Sequence, residues 1–265
     1  MESERLSILK TLTGAFLIPW WNLRLFAQSL AVPAIGVLIV FLLAQALPEE
    51  TPVAGAKMGL IVAASGLFAV LFAVTCHRLV LLPKADKDQA FQFSAYWRLI
   101  RFLLWVIGLS ILEGLVSFPF SAAMAWFIDT YLLDEMAKGS GTVDERFGSL
   151  SYLFTLSTLP AIYLIARVSV VFPSIAVDRP LSIGSAWSLT KGNGWKMAVI
   201  VFLFPWLLFK LIEFLPTTGL GEWAWLATIP FVALVFVVQI SALSMSYGQL
   251  ASAEAEPNQQ PKPTP

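Results

Sequence analysis

Uncharged apolar runs, each about as long as a bilayer is thick, constrain this chain more than any other feature. The clearest one surrounds Arg167: no charged residue occurs from Phe147 to Ala166, and none occurs from Val168 to Val177. About 20 apolar residues span the hydrocarbon core of a bilayer, and a charge inside such a run is costly unless it pairs or reaches the interface. We therefore expect a chain that folds in lipid, with Arg167 in a special environment.

Composition supports this expectation and excludes several classes of function. Apolar residues make up 58% of the 265 residues and charged residues 13%, whereas an average soluble domain is roughly half apolar and a quarter charged. The 17 basic and 17 acidic residues cancel, which argues against nucleic-acid binding because that needs a basic face. A single cysteine, Cys76, excludes an internal disulfide and a cysteine metal cluster. We predict no cofactor and no metal site.

The pattern of apolar runs and polar breaks predicts an all-α fold, a polytopic transmembrane helical bundle of about six spans with interfacial amphipathic helices. Three domains are predicted: an N-terminal interfacial helix at 1–24, a transmembrane helical domain at 25–248 and a disordered C-terminal tail at 249–265. For the first helix two alternatives stay open, a position in the headgroup layer or a cap packed on the protein's own helices. The predicted spans are 25–47, 58–82, 97–116, 150–171, 195–215 and 223–247.

Two details of this pattern concern a short helix after the fourth span and a proline after the third. A short surface helix is expected at 182–191, with Ser182 as its N-cap and Gly192 as its terminator. Whether the third span continues past Pro119 is left open, because proline both kinks helices and is tolerated within membrane helices.

The distribution of lysine and arginine predicts the orientation of the chain. An even number of spans puts both termini on one side, and the segments on that side hold 13 basic residues against 4 in the other three connections. Basic residues gather in cytoplasmic connections of membrane proteins. We therefore expect a multi-pass protein with both termini in the cytoplasm.

The second and fourth predicted spans end alike, which suggests an internal repeat at 77–97 and 166–187. Arg78 lies five residues before a proline and Arg167 lies six before one, and a tryptophan follows each proline by fourteen residues. Coincidence is the alternative in so apolar a chain. Each guanidinium group could reach lipid phosphate or hold backbone carbonyls freed near the proline. The candidate residues for an anionic lipid or phosphate site are Arg78, Arg167, His77 and Arg179.

Several short motifs resemble an uncharacterised family of bacterial multi-pass inner-membrane proteins. They lie at 76–82, 166–169, 172–173, 178–182, 186–187 and 189–196. More distantly, the stretch from Arg167 to Trp195 is similar to the membrane region attached to some glycerophosphodiester phosphodiesterases. The resemblance covers roughly residues 60–215 and implies a bacterial cytoplasmic membrane. It implies no activity, because the acidic metal ligands and paired histidines of the phosphodiesterase domain have no counterpart here.

Three classes of function remain to be weighed. An enzyme is not expected, because His77 is the chain's one histidine and no nucleophile–base pair accompanies it. We predict a membrane module that binds phospholipid of the bilayer or a partner, which could be another membrane protein or a second copy of the chain. The alternative is a transporter or channel for a small molecule or a lipid, although prolines and polar residues in the spans also serve ordinary helix packing.

Overall fold

The computed structural model describes residues 6–46, 54–83, 96–132, 157–213 and 224–255, and these residues form helices joined by short turns. The all-α prediction is confirmed. Short π-helical turns lie at Ile128–Leu132 and at Val199–Leu203. In chain order the helices are α1 (Ile8–Trp21), α2 (Leu23–Ala46), α3 (Ala54–Leu81), α4 (Tyr96–Phe127), α5 (Leu159–Val168), α6 (Val171–Ala176), α7 (Ile183–Leu189), α8 (Gly194–Ala198), α9 (Phe204–Glu213) and α10 (Ala224–Ala255).

Within the described ranges, five helical segments are long and apolar enough to cross a membrane. The first predicted span corresponds to α2, whose apolar stretch Leu30–Val40 is shorter than these five. The fold is therefore a polytopic helical membrane bundle, as the apolar runs predicted. The five segments are Val62–Leu81, Tyr96–Thr130, Leu159–Ala176, Gly194–Ile212 and Phe231–Glu254.

Two spans extend farther than the sequence pattern indicated. Helix α4 continues through Pro119 to Phe127, which answers the question left open for the third span. The fourth span turns at 169–170 and continues as α6 to Ala176, so its predicted end at residue 171 was too early. Pro173 is accommodated because it lies in the first turn of α6, where a backbone N–H would have no intrahelical partner.

The last helix reaches into the segment predicted to be a disordered tail. Residues 249–255 belong to α10, so the tail boundary at residue 249 is corrected, while 256–265 lie outside the described residues. Tertiary contacts hold this part of the helix: Gln249 Nε2 donates to Thr11 Oγ1 at 3.0 Å, and Leu250 is buried. Helix formation there follows from packing against α1, which composition alone does not reveal.

Helix α1 packs along α10, which matches one of the two alternatives for the N-terminal segment. Thr11 and Ala15 are fully buried, and a Cβ on Gly14 would lie 2.8 Å from the Sδ of Met245 in α10. The opposite face of α1 exposes Leu9 and Trp20. That this face lies in the headgroup layer stays a prediction.

Small polar residues on α10 let the neighbouring helices approach closely. Ser241, Ser244 and Ser246 are buried, and the hydroxyls of the latter two donate to carbonyl oxygens one turn earlier, at 2.8 and 2.9 Å. These internal bonds satisfy the hydroxyl donors without water, which an apolar environment requires. Buried hydrophobic side chains of α3, α4, α5, α6, α8 and α10 then form one core cluster.

Several chain segments converge at one end of the bundle. Lys196 Nζ at the start of α8 donates to the carbonyl of Leu6 at 2.6 Å, and Gly248 near the end of α10 lies beside Leu81 at the end of α3. The first described residues and the last turns of α10 therefore lie together. We call this region the arginine end, because it holds Arg78, Arg98, Arg101, Arg167 and Arg179.

Candidate functional site

A tight turn at the end of α6 forms the centre of the arginine end. The N–H of Asp178 donates to the carbonyl of Ile175 at 3.1 Å, and the N–H of Arg179 donates to that of Ser174 at 2.8 Å. These two bonds form a Schellman motif, in which the residue after the C-cap takes a left-handed conformation. Asp178 takes that position with a φ of 60°. Aspartate is one of the few residues besides glycine that enter this region routinely.

The carboxylate of Asp178 joins three spans through two arginines. Arg98 at the start of α4 donates from Nε to Oδ1 at 2.9 Å and from Nη2 to Oδ2 at 2.5 Å, a bidentate contact. Arg78 near the end of α3 lies 3.5 Å from Oδ2 and also donates to the carbonyl of Ala176 at 3.0 Å. That carbonyl belongs to the last turn of α6, where intrahelical donors run out.

Arg167 near the end of α5 holds the surface helix α7. Its Nη2 donates to the carbonyl of Trp187 at 2.6 Å and its Nε donates to Thr190 Oγ1 at 3.2 Å. The guanidinium carbon also lies 3.5 Å from the centre of the Trp187 ring, a cation–π contact. Gly194 makes room for this arrangement, since a Cβ there would lie 2.8 Å from Arg167 Cδ. The predicted helix at 182–191 is confirmed as α7, with Ser182 as its N-cap.

The two arginines predicted as a pair hold different parts of the chain. Arg78 binds the end of α6 and Arg167 binds α7, and each donates to a backbone carbonyl that is not beside the proline following it, unlike the carbonyls that the sequence suggested. Their contacts also differ in kind. Arg167 bonds the segment that follows it, whereas the contacts of Arg78 described above reach the other half of the proposed repeat. Binding of an anionic lipid by these residues, and the repeat itself, stay predictions.

His77 and Arg179 occupy contrasting positions. His77 is buried between α3, α4 and α10, with Nδ1 2.7 Å from Ser244 Oγ and its ring beside Phe102. Because the Ser244 hydroxyl donates to the carbonyl of Ile240, we assign the proton to Nδ1, which then donates to Ser244. Arg179 is exposed at the arginine end. The structure therefore separates His77 from the exposed basic residues.

A cavity that the sequence analysis missed lies beside the Asp178 turn. Its volume is about 190 Å³, and its lining includes Arg98, Arg101 and the carboxylate of Asp178. Two signals could have indicated it. The two arginines are three residues apart and share a helix face, and Asp178 is the single acidic residue between Phe147 and Ile212. The remaining lining residues are Trp97, Ile175 and Pro180.

Part of the chain is similar in sequence to sensory rhodopsins. The chain is 30% identical over 141 residues to sensory rhodopsin-1 from two strains of Halobacterium salinarum, which covers 52% of this chain and 53% of each relative. The chain thus spans about half the length of the curated relatives it matches. No protein-family model and no solved structure matches it. The fold and this similarity define a multi-pass helical membrane protein, and the resemblance to the phosphodiesterase membrane region stays without support.

Proposed function

We propose that this protein is a non-catalytic module of a bacterial inner membrane that binds phospholipid headgroups at its arginine end. The observation that carries the proposal is the rigid convergence of helices there. Asp178 ties α3 and α4 to the end of α6, and Arg167 clamps α7. A platform of this kind fixes the helices that carry the basic residues, so less of the backbone has to become ordered when a headgroup binds.

Exposed tryptophans at the same end support a position in the headgroup layer. Trp97, Trp187 and Trp195 are exposed although each is a large aromatic residue. Indole rings concentrate at membrane–water interfaces because they present both an apolar body and a polar N–H group. Basic residues beside them attract the anionic lipids of the cytoplasmic leaflet. The combination fits a surface that contacts headgroups.

The proposed orientation places the arginine end in the cytoplasm. The support is the count of 13 basic residues on the predicted inner side against 4 on the other. The first described residues and the end of α10 lie at this end, as an even number of spans requires. The sensory role named in the similar rhodopsins is not part of the proposal, because that match covers about half of each chain.

Native mass spectrometry tests the proposal. The protein is purified in a mild detergent and mixed with equal amounts of phosphatidylglycerol and phosphatidylcholine that carry the same acyl chains. We expect bound phosphatidylglycerol to exceed bound phosphatidylcholine, because only the former headgroup has a net negative charge. Equal binding, or none, contradicts the proposal.

A transport assay addresses the alternative function. If liposomes that contain the protein showed solute flux or lipid scrambling that Arg167→Ala abolished, a transporter would replace the binding module. On the present proposal, both activities equal those of protein-free liposomes.

A further inference from the structure

We infer that the cavity beside the Asp178 turn is a binding site for the phosphate group of an anionic phospholipid, with Arg101 as its principal ligand. This inference rests on the proposed function and deepens it by naming the site and the chemical group. Neither Arg98 nor Arg101 was among the residues that the sequence singled out. Three features of the cavity point to this site: its position, the different engagement of its two guanidinium groups, and the local charge.

The cavity lies at the ends of two candidate spans, and phosphate groups of a bilayer are expected at the ends of membrane spans. Its residues come from the start of the candidate span Tyr96–Thr130 and from the end of Leu159–Ala176. Ile175 and Pro180 give it an apolar wall, and the 73% exposed Trp97 borders it. Its volume of about 190 Å³ is several times the roughly 30 Å³ that a water molecule takes in the liquid. The cavity therefore has room for a phosphate group.

The two arginines of the cavity differ in how far the protein already engages them. Arg98 is fixed by its bidentate contact with Asp178, and its side chain is only 12% exposed. Arg101 lies one turn later on the same face of α4 and is exposed. Among the residues that the structure describes, Arg101 has no hydrogen-bond or ion-pair partner. Its fork of N–H donors is thus available to an added acceptor.

The charge at the cavity favours an anion over a zwitterion. Among the lining residues, Arg98 and Arg101 carry two positive charges and Asp178 carries one negative charge. Arg78 does not line the cavity but lies 3.5 Å from the Asp178 carboxylate, and with it the local balance is two positive charges. The carboxylate is already occupied by Arg78 and Arg98. A phosphate oxygen can therefore bind Arg101 without displacing an internal ion pair. Phosphate accepts two parallel N–H donors from one guanidinium group, which gives both affinity and orientation.

The decisive experiment compares Arg101→Gln with Lys10→Gln by native mass spectrometry titration with phosphatidylglycerol. Both changes remove one exposed positive charge at the arginine end, and Lys10 lies on α1, outside the lining of the cavity. We expect Arg101→Gln to raise the Kd about tenfold, the effect of losing one strong charge-assisted hydrogen bond, and Lys10→Gln to leave it within about twofold. We expect Arg101→Lys to give an intermediate Kd, because it keeps the charge and loses the fork.

Two further arms separate the sources of phosphate and the possible failures. Inorganic phosphate and glycerol phosphate at millimolar concentration should leave bound phosphatidylglycerol unchanged. Displacement by either one would make the site a receptor for free phosphate and overturn the lipid assignment. If the parent protein prefers phosphatidylglycerol but Arg101→Gln binds it as Lys10→Gln does, the cavity is the wrong site and the proposed function stands. If the parent shows no preference, the proposed function fails and the inference fails with it. Thermal unfolding of Arg101→Gln should match that of the parent, since Arg101 is exposed.

Discussion

Substitutions at Asp178 separate the contribution of a left-handed backbone from that of two ion pairs. Asp178→Ala and Asp178→Gly both remove the carboxylate that Arg98 and Arg78 share, so they lose the same contacts. They differ at a φ of 60°, a conformation that costs a residue with a Cβ roughly 1–2 kcal/mol. Glycine loses more chain entropy on folding than alanine does, at a free-energy cost of about 0.5–1 kcal/mol. We therefore expect Asp178→Gly to be the more stable of the two by about 0.5–1 kcal/mol.

Asp178→Asn isolates the charge, because asparagine also tolerates the left-handed region. The Asp178 side chain is 58% exposed, against 8% for Arg78 and 12% for Arg98. Solvent therefore screens the carboxylate, and each ion pair contributes about 1 kcal/mol or less, well below the 3–5 kcal/mol lost when a buried pair is broken. We expect Asp178→Asn to reduce stability by up to about 2 kcal/mol in low salt and by less in high salt.

The assay for this series is thermal unfolding in detergent micelles, followed by tryptophan fluorescence at two salt concentrations. For a protein of this size, 1 kcal/mol corresponds to about 2–4 °C in Tm. If Asp178→Ala proved as stable as Asp178→Gly, the turn would not hold a left-handed residue. If Asp178→Asn matched the parent protein at low salt, the ion pairs would not hold the three spans together.

Three other substitutions probe the packing around the arginine end, each measured as a Tm shift in the same micelles. Gly194→Ala should destabilise the protein by about 1–3 kcal/mol, because the new Cβ would lie 2.8 Å from Arg167 Cδ. An unchanged Tm would mean that the residue at 194 does not contact the Arg167 side chain. Arg167→Lys should lower stability by about 1–2 kcal/mol, since lysine keeps the charge but lacks the guanidinium group that donates to Thr190 and to the Trp187 carbonyl. A Tm equal to that of the parent would show that these two hydrogen bonds do not hold α7. Ser244→Ala should reduce stability by about 1 kcal/mol, because it removes the acceptor of a buried histidine ring; a stabilising effect would contradict that hydrogen bond.

The membrane class and the location of most spans could be predicted from the sequence, because hydrocarbon imposes a length and a composition on each span. The helix at 182–191 could be predicted as well, since its cap and terminator are local signals. These features are determined by residues that lie close together in the sequence. They need no knowledge of how the helices pack.

The features that the sequence did not reveal depend on contacts between distant segments. Helix α10 continues to Ala255 because α1 packs against it, and α4 continues past Pro119 although proline often ends a helix. The partner of Arg78 lies 100 residues away at Asp178, so no local pattern connects the two. Arg98 pairs with the same carboxylate across 80 residues of sequence, and both residues line the cavity. No local pattern predicts this pair either.

Accessibility of the two ends of the bundle tests most directly whether the arginine end faces the cytoplasm. Ser188→Cys places a thiol at an exposed site on α7, and Thr130→Cys places one at the far end of the span that begins at Tyr96. Cys76 is fully buried and should stay unlabelled in the parent protein. With a membrane-impermeant maleimide, we predict labelling of Ser188→Cys only in inside-out vesicles and of Thr130→Cys only in right-side-out vesicles. The reverse pattern, or labelling of both from one side, would contradict the orientation on which the proposed headgroup site depends.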